Sequence, residues 1–76
     1  MNMKRFVLCE RPYWTDGIGC PVAVFDTLKG LKAHIRSHYN AELGCKYKKS
    51  MDSETEWHDD VTETVLEYLD VDAYGK

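Results

Sequence analysis

The sequence predicts a small α+β domain: a two- to three-stranded antiparallel sheet, one helix over residues 27–39 and a second helix at the C-terminal end. The chain has 76 residues, of which 43% are apolar and 30% charged, which is typical of a globular protein with one hydrophobic core. Two short apolar runs come first, and the apolar residues that follow recur with helical spacing. We therefore treat residues 1–76 as a single domain.

Two strands are predicted before the helix. Residues 4–10 form a short apolar run with an aromatic and a β-branched residue, bounded by charged residues. Residues 22–25 are four consecutive apolar residues, which is typical of a buried strand. The segment between the two runs holds both prolines and the turn sequence Thr15-Asp16-Gly17. We expect a long loop that joins two neighbouring strands.

The helix over residues 27–39 follows from a capping residue and an apolar stripe. Asp26 or Thr27 can cap its first turn. One face carries the apolar residues Leu28, Leu31, Ile35 and Tyr39. Its flanks differ in chemistry: one carries Lys29, Lys32 and Arg36, and the other carries His34 and His38. Asn40 and Gly44 are candidate terminators.

The C-terminal half is harder to assign. Residues 40–56 are predicted as a loop with at most one short edge strand. Residues 59–72 fit a helix, because Asp60 and Glu63 resemble a capping box and the apolar residues share a face. They also fit a strand, because they are rich in β-branched residues. We favour the helix, which would place Glu63, Glu67 and Asp70 together on its outer face.

The charges are divided along the chain. Residues 1–50 carry nine basic and four acidic residues, a net charge of +5, whereas residues 51–76 carry nine acidic residues and one basic residue, a net charge of -8. The acidic segment either complements the basic half of its own domain or presents an acidic surface to a partner. The second interpretation predicts a partner protein with a basic surface and binding that weakens with salt.

Large aromatic side chains stand in the loop between the two predicted strands. Arg11, Tyr13 and Trp14 are of the residue types most enriched at interface hot spots. The alternative is that Trp14 folds back over the edge of the small core. We predict a non-catalytic module that binds another protein through this loop, through Glu63, Glu67 and Asp70, or through both.

A metal site is the principal alternative. Residues 25–38, F-DTLKG-L-KA-H-IRS-H, resemble the helix half of a two-cysteine two-histidine zinc finger. The resemblance implies a zinc ion held by His34 and His38. This chain could supply Cys9 and Cys20 as the thiolate ligands, with Cys45 as the alternative to Cys9. The chain departs from the family pattern, because a finger has two cysteines separated by about two to four residues and here ten residues separate Cys9 from Cys20. No cofactor is therefore predicted, and zinc is kept as the alternative.

A zinc-stabilised domain could contact nucleic acid through a basic edge. That edge would consist of Lys29, Lys32, Arg36, Lys46, Lys48 and Lys49. The net charge of -3 over the whole chain disfavours nucleic acid as the main partner.

Several other classes are disfavoured. The chain has no phosphate-binding glycine loop, nucleophile elbow or HExxH motif, so we expect no enzyme. It has no apolar stretch near the ~18 residues of a membrane span, and its three cysteines do not form an even disulfide set, which favours the cytoplasm. A core this small makes a homo-oligomer an alternative. In format the chain resembles small accessory or host-takeover proteins of bacteriophages, which implies an inhibitor or modulator of a host protein.

Overall fold

A computed structural model describes residues 4–17 and 19–72. Within these residues the chain forms a five-stranded antiparallel sheet and one helix that packs on one face of it. The strands are β1 (Lys4–Pro12), β2 (Cys20–Phe25), β3 (Lys48–Lys49), β4 (Glu56–Asp59) and β5 (Thr64–Asp72), and the sheet order is β2-β1-β5-β4-β3. The helix begins as α1 (Leu28–His34) and continues as a π-helical segment (Ile35–Glu42).

The α+β class and the positions of the first two strands are confirmed. The expected burial of residues 22–25 is wrong, because β2 is an edge strand on which Val22 and Val24 are exposed, and the predicted size of the sheet and the second helix are wrong as well. Residues 59–72 form the end of β4, a turn and the nine-residue strand β5, which pairs along the whole length of β1. Val7 faces Leu69 across this pairing, and Leu8 faces Tyr68. Strand β5 pairs with the edge of β1 that β2 leaves open and so satisfies the backbone groups along that edge.

The predicted capping box does not form. Asp59 instead holds a tight turn, because its carboxylate accepts hydrogen bonds from the backbone N–H groups of Val61 at 2.9 Å and Thr62 at 3.3 Å. Val61, which the helical interpretation would bury, is 76% exposed. The run of β-branched residues after this turn therefore serves a strand with two buried positions, Val65 and Leu66, on opposite faces.

The predicted helix is confirmed, with a different ending. Thr27 is the N-cap, and its hydroxyl accepts a hydrogen bond from the Gly30 N–H at 3.0 Å. The helix runs three residues past the predicted end at Tyr39. Its last part is wound more widely, and the Leu43 N–H donates to the His38 carbonyl, five residues back, at 3.0 Å. Gly44 follows with a φ of 73°, as expected for a terminating glycine.

The core lies between the helix and one face of the sheet. Leu31 and Ile35 of the predicted apolar stripe are buried there, as that stripe requires. From the sheet and the segment before β3 the core receives Leu8, Leu66, Trp57 and Tyr47. The opposite face of the sheet has no helix over it in the described residues. No helix in this part of the chain has the length and apolar character needed to span a membrane.

Strand β4 was missed by the sequence analysis. It lies in the polar segment 50–60, where only Trp57 and Asp59 point towards the core. Strand β3 is the short edge strand predicted within residues 40–56. It is two residues long, and both residues pair with β4. A short edge strand with lysine side chains is a common end of a sheet, because it disfavours pairing with a strand of another molecule.

Candidate protein-interaction surface

The aromatic loop begins where β1 ends, and Tyr13 fastens it to the turn between β4 and β5. The Tyr13 N–H donates to the Glu63 carbonyl at 2.9 Å, and the Tyr13 hydroxyl donates to the Asp60 carboxylate at 2.5 Å. This second bond is the main reason why the pKa of Tyr13 is raised to about 12. The loop is therefore held at both the backbone and the side chain.

Arg11 supports the loop from beneath. Its guanidinium donates to the Thr15 carbonyl at 3.0 Å and lies 3.5 Å from the Glu56 carboxylate. The Arg11 side chain is mostly buried, and its Nε has no hydrogen-bond partner among the described residues. Arg11 is thus engaged within the domain at the base of the loop, and its predicted contact with a partner stays a prediction.

Trp14 is displayed to solvent. Its side chain is 75% exposed, although both of its neighbours in the loop are tied to the rest of the domain. The Thr15 N–H donates to the Pro12 carbonyl at 3.2 Å, which closes a tight turn around Tyr13 and Trp14. The alternative in which Trp14 folds back over the core does not describe this structure.

Acidic groups border the aromatic loop. Asp60 and Glu63 lie in the β4–β5 turn beside Tyr13, and both are exposed, as is Asp16 within the loop itself. The pairing of β1 with β5 brings together two features that are about fifty residues apart in the sequence. The aromatic loop and this part of the acidic segment therefore form one surface, which we call the loop–turn surface (residues 12–17 and 60–63).

The predicted acidic residues do not form one group. Glu63 belongs to the loop–turn surface, with a φ of 57°. Glu67 lies in β5 on the face away from the helix, opposite Cys9 of β1 and Glu56 of β4. Asp70 is paired with Phe6 and points to the other face. A shared acidic face required the C-terminal helix, which is absent from the described residues.

The face of the sheet away from the helix carries further apolar side chains. Val24, Val7 and Leu69 lie side by side across β2, β1 and β5. Val24 is 57% exposed, and Val22 and Val71 are also exposed. Antiparallel sheets that face water usually carry polar side chains on that face, so this row extends the apolar area available for contact.

His58 was missed by the sequence analysis. Its ring lies 5.7 Å from the Tyr13 ring, and its Nε2 is 3.0 Å from Glu56 Oε1. With Arg11, Glu56 and Val65 these residues line a shallow depression of about 280 Å³ behind the loop. Only the pairing of β4 with β5 brings His58 to this place, and no motif in the sequence indicates it.

The predicted metal ligands are not brought together. Among residues 4–17 and 19–72, no three His, Cys, Asp or Glu side chains form a group that could hold a metal ion. Cys9 lies on the face away from the helix, whereas the His34 and His38 rings stack on each other at 4.9 Å. Burial raises the pKa of the Cys9 thiol, which opposes the thiolate form that binds zinc.

The two histidines have other contacts. The centre of the His34 ring lies 5.1 Å from that of the Phe25 ring. The pKa of His34 is lowered, mainly by burial and to a smaller extent by the nearby His38. His38 Nδ1 lies 2.8 Å from the Glu42 carboxylate, one turn further along the chain. Both rings therefore serve the packing of the helix end.

The predicted basic residues divide between two sides of the molecule. Lys32, Arg36 and Lys49 line a common groove, and Lys29 lines a depression next to it. Lys48 pairs with His58, so it lies on the other side of β3. The Lys46 side chain is exposed, and its backbone N–H donates to the buried Asp59 carboxylate at 2.9 Å.

Comparison of the chain with models of known protein families, with curated proteins and with solved structures gives no significant match.

Proposed function

We propose that this chain is a non-catalytic protein-binding module that acts through the loop–turn surface. The observation that carries the proposal is the 75% exposure of Trp14 on a loop whose backbone is hydrogen-bonded on both sides of it and whose Tyr13 side chain is bonded to Asp60. Water contact of a large indole is costly, and an ordered loop loses little conformational freedom on binding. An exposed aromatic residue on an ordered loop is typical of an interface hot spot.

The charges around Trp14 indicate the chemistry of the partner. Asp16 lies in the same loop as Trp14, and Asp60 and Glu63 lie in the turn to which Tyr13 is bonded. All three are exposed, whereas the neighbouring cation, Arg11, lies 3.5 Å from the Glu56 carboxylate. We expect the partner to offer an apolar pocket for the indole and basic side chains around that pocket. The apolar pocket supplies affinity, and the charges supply orientation and association rate.

A comparative capture experiment tests the proposal. The full chain is immobilised as wild type, as Trp14→Ala and as Met51→Ala, and proteins retained from a lysate of the source cells are quantified. Met51 is a matched control because it is also apolar and fully exposed, in the loop between β3 and β4. We expect at least one protein to be retained by wild type and Met51→Ala and lost with Trp14→Ala. Identical retention by all three baits would contradict the proposal.

Thermal unfolding of the same variants separates binding from stability. Replacing an exposed side chain changes the free energy of unfolding by about 0.5 kcal/mol or less. The melting temperature of Trp14→Ala should therefore stay within about 4 °C of the wild type. A larger fall would mean that Trp14 supports the core, and the loss of capture would then have a structural cause.

A further inference from the structure

A groove on the helix-covered side of the sheet has a different character from the loop–turn surface. It lies between the helix and strands β3 and β4 and has a volume of about 340 Å³. Three cationic side chains line it, from Lys32, Arg36 and Lys49, and its apolar lining comes from Ile35, Tyr47 and Trp57. We call it the basic groove.

The positive charge of the basic groove is not neutralised within the described part of the chain. No carboxylate lines the groove, and neither Lys32 nor Arg36 forms an ion pair with residues 4–17 or 19–72. The Lys49 ammonium donates to the Ser53 carbonyl at 3.2 Å and lies 5.6 Å from the centre of the Trp57 ring. Three like charges that converge on one cleft repel each other, and a bound anion relieves that repulsion.

The wall of the groove is held in place without a ligand. The Asn40 side chain exchanges two hydrogen bonds with the backbone of Tyr47, at 2.8 Å and 3.1 Å. These bonds fasten the π-helical segment to the chain that leads into β3. Both ends of the Asn40 amide are thus engaged in holding the wall, and the cations are the charged groups that the groove offers to a ligand.

A neighbouring depression extends the positive charge along the helix. It has a volume of about 360 Å³, shares Lys32 and Arg36 with the basic groove and adds Lys29. A ligand with several negative charges fits four cations better than a single carboxylate does. Arginine and lysine together are the usual protein groups for phosphate, and the volume is that of a small-molecule site.

The aromatic rings argue against recognition of a nucleic-acid base. Tyr47 is 6% exposed and Trp57 is 8% exposed, so neither presents a ring face on which a base could stack. We propose that the basic groove is a second binding site, which takes a multiply charged phosphate group of a small ligand through Lys32, Arg36 and Lys49.

Calorimetric titration of the full chain with inorganic tripolyphosphate tests this site. The wild type is compared with Arg36→Gln, Lys49→Gln and the control Lys48→Gln at about 50 mM salt, where screening is weak. Lys48 is a matched control because it is the neighbouring lysine in the same strand but lies opposite His58, outside the groove. All variants are first checked for an unchanged melting temperature.

We expect saturable binding of tripolyphosphate to the wild type. Arg36→Gln or Lys49→Gln should weaken it about tenfold or more, because each removes one charge-assisted contact. Lys48→Gln should change it about twofold or less. Absence of binding to the wild type would overturn the proposal. Equal weakening by Lys48→Gln and Lys49→Gln would also overturn it, because only net charge would then matter.

Further probes identify the source of the phosphate. ATP that competes with tripolyphosphate and loses affinity in Arg36→Gln supports a small phosphorylated ligand. A single-stranded oligonucleotide that binds much more tightly than ATP, with the same dependence on Arg36, would overturn the small-ligand part of the proposal in favour of a nucleic-acid backbone. A glutamate-rich peptide that binds as tightly as ATP would overturn the preference for phosphate.

Discussion

Asp59 is the residue on which the turn beside the aromatic loop depends. Its carboxylate is completely buried, with one oxygen facing the Lys46 N–H and the other facing the N–H groups of Val61 and Thr62. The hydrogen bond from Lys46, followed by those from the turn, lowers the pKa of Asp59 against the opposing effect of burial. Several backbone hydrogen bonds to a buried carboxylate favour its charged form.

Replacing Asp59 by asparagine should destabilise the domain by about 2 to 3 kcal/mol, because one backbone N–H then meets an amide N–H₂ instead of an oxygen. The folded-state pKa of Asp59 is lower than the unfolded one, so its contribution is present above about pH 4 and is lost as the pH falls further. Denaturant unfolding from pH 7 to pH 2 checks this. The prediction would be contradicted if the free energy of unfolding fell equally steeply with acidification in the wild type and in Asp59→Asn.

Tyr13 offers a spectroscopic test of the loop anchor. Its pKa of about 12 exceeds the value of an unfolded tyrosine, so the bond to Asp60 stabilises the fold below about pH 10 and is lost as the pH rises through 12. In a phenolate absorbance titration, Tyr13→Phe should remove one late-titrating group. If Tyr13→Phe instead removed a group that titrates near pH 10, the Tyr13 hydroxyl would not be bonded to Asp60 in solution.

At the scale of elements, the helix was predictable because its signals are local. Thr27 caps it, and Leu31 and Ile35 recur at helical spacing, so neighbouring residues alone indicate its start and its buried face. Strand β5 was not predictable in this way. Its type is decided by its pairing with β1, more than fifty residues away, and the local capping pattern at Asp60 and Glu63 pointed to the wrong element.

The same distinction applies to the candidate sites. The residue types of Tyr13 and Trp14 indicated an interaction loop, but the carboxylates beside them became visible only through the β1–β5 pairing. The zinc hypothesis rested on the spacing of His34 and His38 along the helix, and the sheet does not bring the cysteines to them. The phage-type resemblance concerns format and stays a prediction.

Asn40 fastens the widely wound helix end to the chain that leads into β3. Replacing Asn40 by alanine removes both hydrogen bonds to the Tyr47 backbone and should lower the free energy of unfolding by about 1 to 2 kcal/mol. The change is expected to appear in hydrogen exchange as faster exchange of the Tyr47 N–H. Unchanged exchange at that position would show that the helix end is held by packing alone.

On the scale of the whole molecule, the two oppositely charged halves of the sequence interleave in one sheet. Arg11 of the basic half lies against Glu56 of the acidic half, so part of the charge division is used within the fold. The rest is displayed on separate surfaces, with exposed carboxylates on the loop–turn surface and cations in the basic groove. The weakly negative net charge of the chain is thus the sum of surfaces of opposite sign.

The exposed carboxylates of the loop–turn surface predict that charge raises the rate of association with a basic partner. Glu63→Gln removes one charge without changing the backbone bond to Tyr13, and it should slow association with a basic partner a few-fold while leaving dissociation nearly unchanged. Stopped-flow measurements at low and high salt check this, since the difference between the two proteins should vanish at high salt. An effect confined to the dissociation rate would contradict electrostatic steering.

The most direct test of the central claim is the dissociation constant of the captured partner with wild type and with Trp14→Ala, measured with purified proteins. If Trp14 is the hot spot of the loop–turn surface, its loss should raise the dissociation constant about thirtyfold or more at an unchanged melting temperature. Equal dissociation constants for the two proteins would contradict the claim.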